Sequence, residues 1–140
     1  MQLPLKIRFG AAYDLDFIYN SWIKSYRNRV PVCKTLYCKK QHDLITSILG
    51  RSTILVATPD TDPELIVGYL VYEAESTLHW VYVKQSFRHM GIAQELLKYA
   101  GLTDDFEYSH LAPSFFSRWL MLRGGEYNPY VLMEDHHARD

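Results

Sequence analysis

The sequence is short of most features that mark a specialised surface or compartment. Net charge is nearly absent, with 15 lysines and arginines against 16 aspartates and glutamates. That balance excludes a whole-molecule field for nucleic acid or an anionic membrane. No apolar run approaches the roughly 20 residues a bilayer-spanning helix needs, and the opening MQLPLKIRFG has no apolar stretch of signal-peptide length. These absences point to a cytoplasmic protein. Cysteine is scarce, and Cys33 and Cys38 read as reduced thiols. Adding His42 gives only three ligands at loose spacing, short of a closed zinc site, so no metal is expected. There is no internal repeat, low-complexity tract or linker. What is present is a globular composition, 48% hydrophobic and 14% aromatic over 140 residues, which fits one domain spanning 1–140 with 134–140 as a frayed tail. His136 and His137 fall in that tail and are read as solvated.

Leu78 to Gly101 organises the chain. Leu78 to Val83 is β-branched and aromatic, as a buried strand should be. From Gly91 to Ala100 the period turns helical, with Ile92, Leu96, Leu97 and Ala100 on one face, and Gly101 is a helix stop. Between them lies Arg88-His89-Met90-Gly91-Ile92-Ala93. A glycine where a turn opens a helix lets backbone approach a ligand, the free amides of the first turn favour an anion, and Arg88 adds a positive charge.

Upstream, Lys6 to Phe9 reads as a strand, and Asp14 as the N-cap of a helix carrying Leu15, Ile18, Tyr19, Trp22, Ile23 and Tyr26 at helical spacing. A second helix is expected over 40–49, closed by Gly50. Strands follow at 53–58 and 65–73, split by a polar turn, with Gly68 marking a bulge or a close backbone approach. Together with the Leu78 strand they form a meander. After the central helix come a short run at 106–111, a helix over 114–122 begun by Pro113, and a last strand over 127–133 interrupted by Pro129.

The spacing Arg88-x-x-Gly91-x-Ala93, with Val81-Tyr82-Val83 before it, resembles the acyl-CoA-binding motif of the GNAT acyltransferase superfamily, although Gln85 stands near the place of a frequent proline. The resemblance is close only over Leu78–Gly101 and extends to about Lys6–Met133 by element order. It implies an α/β (α+β) fold: a mixed, mostly antiparallel twisted sheet of about six strands with about four helices, and a V-shaped cofactor gap between the fourth and fifth strands. It also implies acetyl-CoA as co-substrate. Val81, Tyr82 and Val83 would face pantetheine. Arg88, His89, Met90, Gly91, Ile92 and Ala93 would wrap the pyrophosphate. Ser114, with Phe115 and Phe116, would flank the other side. Strand alternation puts Thr77, His79, Val81 and Val83 on one face, and arylalkylamine N-acetyltransferases are similar here. His79 is therefore the expected general base, an imidazole being suited to deprotonating an amine near neutrality. Glu73 and Glu75 are alternatives acting through water, though each is expected in solvent. The family's usual acid, a tyrosine in the last helix, falls here on Leu120 and Met121, which leaves Tyr127 or Tyr130 as substitutes.

The acceptor is suggested only by charge. Lys24, Arg27, Arg29, Lys34, Lys39 and Lys40 are interleaved with Trp22, Tyr26 and Tyr37, with no acid between Asp16 and Asp43. Trp22, Tyr26 and Arg27 are the expected substrate contacts. The bland reading is a solvated helix face with its aromatics in the core. The sequence thus describes an N-acetyltransferase acting on a small-molecule primary amine or a modified nucleic-acid base, with no membrane partner and a homodimer left open. The alternative is a non-catalytic GNAT-like binding module.

Overall fold

The computed structural model describes residues 4–27, 33–73, 76–110 and 114–133, with the side chains of Ser114 and Phe115 excepted. Arg29, Glu75, Pro113, His136 and His137 lie outside the described residues. One sheet in the order β1-β2-β3-β4-β5-β6 forms the spine. Strands β1 (Leu5–Phe9), β2 (Thr53–Pro59), β3 (Gly68–Glu73) and β4 (Thr77–Val83) pair antiparallel. Strands β5 (Phe106–Tyr108) and β6 (Gly125–Tyr127) continue the sheet in parallel.

Helices α1 (Leu15–Tyr26) and α2 (Lys34–Leu49) cover one face, and α3 (Ile92–Ala100) and α4 (Ser114–Leu122) the other. The first face buries Ile18, Trp22, Ile45 and Ile48 against Val56, Tyr69, Val71 and Trp80. The second buries Leu96, Leu97 and Leu120 against Leu55, Leu70 and Leu78. Trp22 and Trp80 lie flat on one another, ring centres 5.7 Å apart and planes 3° from parallel. No helix among the described residues is long and apolar enough to cross a membrane.

Several expectations are corrected. Asp14 takes the expected N-cap position of α1, but its side chain makes no capping hydrogen bond to the helix. Its carboxylate accepts the Ala11 amide at 2.8 Å and both guanidinium nitrogens of Arg8 at 2.8 and 2.9 Å, tying β1 to the short 3-10 turn Ala12–Asp14 that precedes the helix. Burial alone would raise this carboxyl, but the Arg8 and Ala11 hydrogen bonds outweigh it and hold it below its ordinary value. Helix α2 starts at Lys34 rather than residue 40, because its buried stripe is Tyr37, Gln41, Ile45 and Ile48 and so includes a polar residue. The last strand is only Gly125–Tyr127. Pro129 cannot donate to a ladder, and the Asn128 side chain accepts the Tyr130 amide at 3.1 Å, turning the chain into a 3-10 segment, Pro129–Met133.

Gly68 marks a close approach, and the bulge lies elsewhere. A Cβ on Gly68 would sit 2.9 Å from the Tyr82 carbonyl oxygen and 3.2 Å from Ile92 Cγ2. The β3–β4 register instead shifts between Val71 and Tyr72, which face Trp80 and Leu78, so His79 is the extra residue of β4. The expected alternation therefore breaks: Leu78 joins Val81 and Val83 on the α3 face, while Trp80 and Tyr82 face α1 and α2.

The Gly68→Ala variant is expected to lose about 1–3 kcal/mol of stability through overpacking against Tyr82 backbone. Chemical denaturation reads this; an unchanged midpoint would show that the sheet yields there at no cost.

Candidate active site

Among the described residues, strand β4 pairs with β5 through Thr77 with Glu107 and Leu78 with Tyr108, and neither Ser109 nor His110 extends the ladder. A cleft of about 600 Å³ lies along the rest of β4, bounded by Trp80 to Val83, by the loop and first turn of α3, by Phe116 and Trp119 of α4, and by Ser25 of α1. Of the expected cofactor contacts, Val81, Tyr82, Val83, Arg88, His89, Gly91, Ile92 and Ala93 line it. Met90 is 41% exposed and does not line it. Ser114 opens α4, but its side chain is outside the described residues. Phe87, Gln94 and Trp119 also line the cleft and were not anticipated. The signal for Trp119 was its spacing of three from Phe116, which puts both on one helix face.

The loop is shaped to present backbone. His89 and Gly91 both have left-handed φ, +68° and +79°. The first intrahelical bond of α3 runs from the Glu95 amide to the Gly91 carbonyl, so the amides of Ile92, Ala93 and Gln94 have no acceptor within the helix. Arg88 is tethered, its Nε donating to the Val83 carbonyl at 2.9 Å. Positive charge, a helix dipole and free N–H groups thus converge at one end of an otherwise apolar cleft.

His79 is 1% exposed and joins a buried polar chain. Its Nε2 lies 2.8 Å from Glu73 Oε1, and its Nδ1 lies 2.8 Å from Ser109 Oγ. Ser109 Oγ is 2.9 Å from His110 Nδ1, and His110 Nε2 is 3.2 Å from Gln41 Nε2. Arg51 Nε donates to the same Glu73 oxygen at 2.7 Å. Glu73 is therefore not in solvent as expected. Burial pushes its carboxyl up, but the hydrogen bonds of Arg51 and His79 outweigh that and hold it below the ordinary range. Burial, helped by neighbouring His79, pushes the His110 imidazole down to about 3, so it is neutral near pH 7. A second cavity of about 10 Å³, room for about one water, is bordered by His79 and His110 and shares Trp80, Val81 and Phe116 with the large cleft.

Other expected residues are placed elsewhere. Trp22 is 0% exposed and packs against Trp80, so it cannot meet an acceptor there. Tyr37 is buried, its hydroxyl donating to the Ile23 carbonyl at 2.6 Å. Tyr26 is half-buried against Trp80 and His110, and Arg27 is exposed. The aromatics of the basic stretch are thus largely core. Tyr127 sits on β6, across β5 from β4, 37% exposed and with its ring tilted 37° against Tyr108; it does not border the cleft. Tyr130 is 73% exposed. Leu120, in the position of the family's tyrosine, is buried core.

No family model matches the sequence, and no curated protein matches it. Solved structures do. A GCN5-related N-acetyltransferase from Rhodopseudomonas palustris superposes with a TM-score of 0.53 at 13% identity, over 72% of this chain and 66% of that one. A histone acetyltransferase and related acetyltransferase from Corynebacterium glutamicum gives 0.61 at 16% identity, over 86% and 83%. The fold is the GNAT fold. AAC(6')-Iy, solved with the bisubstrate analogue CoA-S-monomethyl-acetylneamine, shares it with a TM-score of 0.51 at 12% identity, over 87% of this chain and 90% of that one. In GNAT terms, the expected architecture of about six strands and four helices with a gap between the fourth and fifth strands is what the chain adopts.

The Glu73 carboxylate contributes stability that is fully present above its unfolded value of about 4.3 and is lost as pH falls through the lower folded value. Denaturation at several pH values is expected to show a steeper acid loss in the parent than in Glu73→Gln. Parallel curves would remove Glu73 from the pH dependence.

Proposed function

We propose that the protein is an acetyl-CoA-dependent N-acetyltransferase that acts on a small-molecule primary amine by direct attack within a ternary complex. The observation that carries this reading is the cleft itself: the stretch of β4 from Trp80 to Val83, without a β5 partner among the described residues, ending at three helix amides without intrahelical acceptors and a tethered arginine. The fit to the donor is physical. The amides of Ile92, Ala93 and Gln94 and the Arg88 guanidinium would hold the pyrophosphate, while Val81, Val83, Phe87, Phe116 and Trp119 would cover the pantetheine arm. Bound acetyl-CoA supplies the activated thioester. A fold shared with AAC(6')-Iy in its bisubstrate complex supports the same placement.

The chain's own part is to orient the amine and take its proton. His79 has both ring nitrogens hydrogen-bonded, so it does not touch an acceptor directly. It takes the proton by way of the small cavity that adjoins the cleft, and Glu73, backed by Arg51, stabilises the resulting imidazolium. Burial of Trp22 and Tyr37 removes two rings from any surface for stacking nucleic-acid bases, which favours a small amine over a modified base. The apolar Leu120 in place of the family's acid lends support to a non-catalytic module. In an enzyme it leaves the thiolate to depart by way of water. A cytoplasmic setting remains part of the proposal.

Isothermal calorimetry is expected to give micromolar-range binding of acetyl-CoA and CoA, ordinary for such a site. Absence of heat with both would end the donor reading. Thiol release with acetyl-CoA and a panel of tyramine, spermidine, neamine and a lysine peptide separates enzyme from module. With an accepted amine, His79→Ala should keep the KM for acetyl-CoA and lower kcat by about 10²–10⁴. A kcat and pH profile equal to the parent would exclude His79 as the base.

A further inference from the structure

The hydrogen-bond chain around His79 has a direction, and its two ends set it. Glu73, ionised, can only accept, so the His79 Nε2–H donates to it at 2.8 Å. At the other end, the Gln41 amide nitrogen can only donate, so it gives its hydrogen to His110 Nε2 at 3.2 Å. With Nε2 accepting and the ring neutral, His110 carries its proton on Nδ1 and donates to Ser109 Oγ at 2.9 Å. The Ser109 hydroxyl then donates to His79 Nδ1 at 2.8 Å. In this assignment each hydrogen bond of the chain has one donor and one acceptor, and His79 Nδ1 accepts from the Ser109 hydroxyl.

A proton added to this chain requires it to reverse. If one arrives at His110 Nε2, the His110 Nδ1–H passes to Ser109 Oγ, and the hydrogen already on that oxygen passes to His79 Nδ1. One N–H bond forms at His110 Nε2 as one breaks at Nδ1, one O–H forms as one breaks at Ser109, and one N–H forms at His79. The sum is a single added proton, held as a His79 imidazolium against the Glu73 carboxylate. His110 remains neutral but has changed tautomer. Its Nε2–H now needs an acceptor, which Gln41 supplies by turning its amide over to present Oε1. A residue with both a donor and an acceptor on one end is what this position needs; an apolar residue would trap the chain in one state.

We propose that Ser109, His110 and Gln41 are positioning residues that form a reversible proton relay to His79, so that protonation of His79 and the tautomer of His110 change together. This rests on the reading of His79 as proton acceptor. Among the described residues, the groups that face the relay are Glu73 from β3, Arg51 from the turn after α2, Tyr26 from α1 and Gln41 from α2, with Phe116 and Leu120 of α4 at the cavity. Tyr26 is raised by burial and then by Tyr127, and Glu73 is held low. The small cavity bordered by His79 and His110 shares Trp80, Val81 and Phe116 with the large cleft, and Glu73, 13% exposed at its side chain, lies at the other end of the chain.

The test is nitrogen NMR of the histidine rings in the full chain labelled with nitrogen-15, titrated with pH. Near neutrality His79 should be protonated at Nε2 and His110 at Nδ1. As His79 takes up its second proton, His110 should switch to the Nε2–H tautomer at the same pH. Ser109→Ala should abolish the switch, and Ser109→Thr, which keeps the hydroxyl, should retain it. A His110 tautomer that stays fixed through the His79 titration overturns the relay, as does an unaltered switch in Ser109→Ala. Calorimetry with CoA on the same samples judges the donor site separately, since Ser109 does not line the large cleft. A folded Ser109→Ala that binds CoA like the parent but loses the switch supports the relay, whereas failure of the parent to bind CoA fells the functional reading on its own terms.

Discussion

The structure depends on the brevity of the pairing between β4 and β5. Among the described residues two residue pairs hold the strands together. A strand with an unpaired edge inside a domain is a liability, since its backbone groups must find partners or water. Here the edge opens into a cleft, and the elements that flank the opening keep it from closing. Helix α3 is held down by Ile92, Leu96 and Leu97, and α4 by Leu120, so their apolar faces prop the cleft open. The short pairing also leaves His79 beside Ser109 rather than beside a neighbouring strand's carbonyl. Binding edge, phosphate end and buried polar chain all follow from one short ladder.

Much of this was legible in the sequence because the relevant signals are local. A β-branched run, a loop with glycine, and a helical period ending in Gly101 describe β4, its loop and α3 within a residue or two. What was not legible depends on tertiary contacts. Nothing in Thr77–Val83 announces a bulge, because the extra residue is defined by its partner strand, and period-two alternation therefore assigned the faces wrongly around His79. Gln41 broke the apolar pattern of α2 and hid its first turns, although the residue is buried to meet His110, which is 69 positions away. Glu73 looked solvated because Arg51 and His79 come to it from other elements. Tyr127 looked available because β6 was expected as a longer strand, and its true length was set by Asn128 and Pro129.

The two faces of the sheet divide the work. The face under α1 and α2 is aromatic and closely stacked, with Trp22, Trp80 and Tyr69 at its centre, and it makes the structure rigid behind the histidine pair. The face under α3 and α4 is aliphatic and carries the cleft. Trp80 belongs to the first but reaches the wall of the second. A change of packing behind the sheet would thus reach the cleft through Trp80 and Tyr82.

The sheet also joins two kinds of connectivity. Strands β2, β3 and β4 follow one another as a meander, which requires only short loops to close. The β4–β5 and β5–β6 pairings are parallel and each waits on a helix crossing over the sheet. Contacts that span long stretches of chain form late and are supported by few neighbours. The cleft is therefore built at the least cross-linked seam of the molecule, where local opening costs less than it does among β1 to β4. Any molecule seated there bridges the seam, and its binding free energy adds to the stability of the parallel half by mass action.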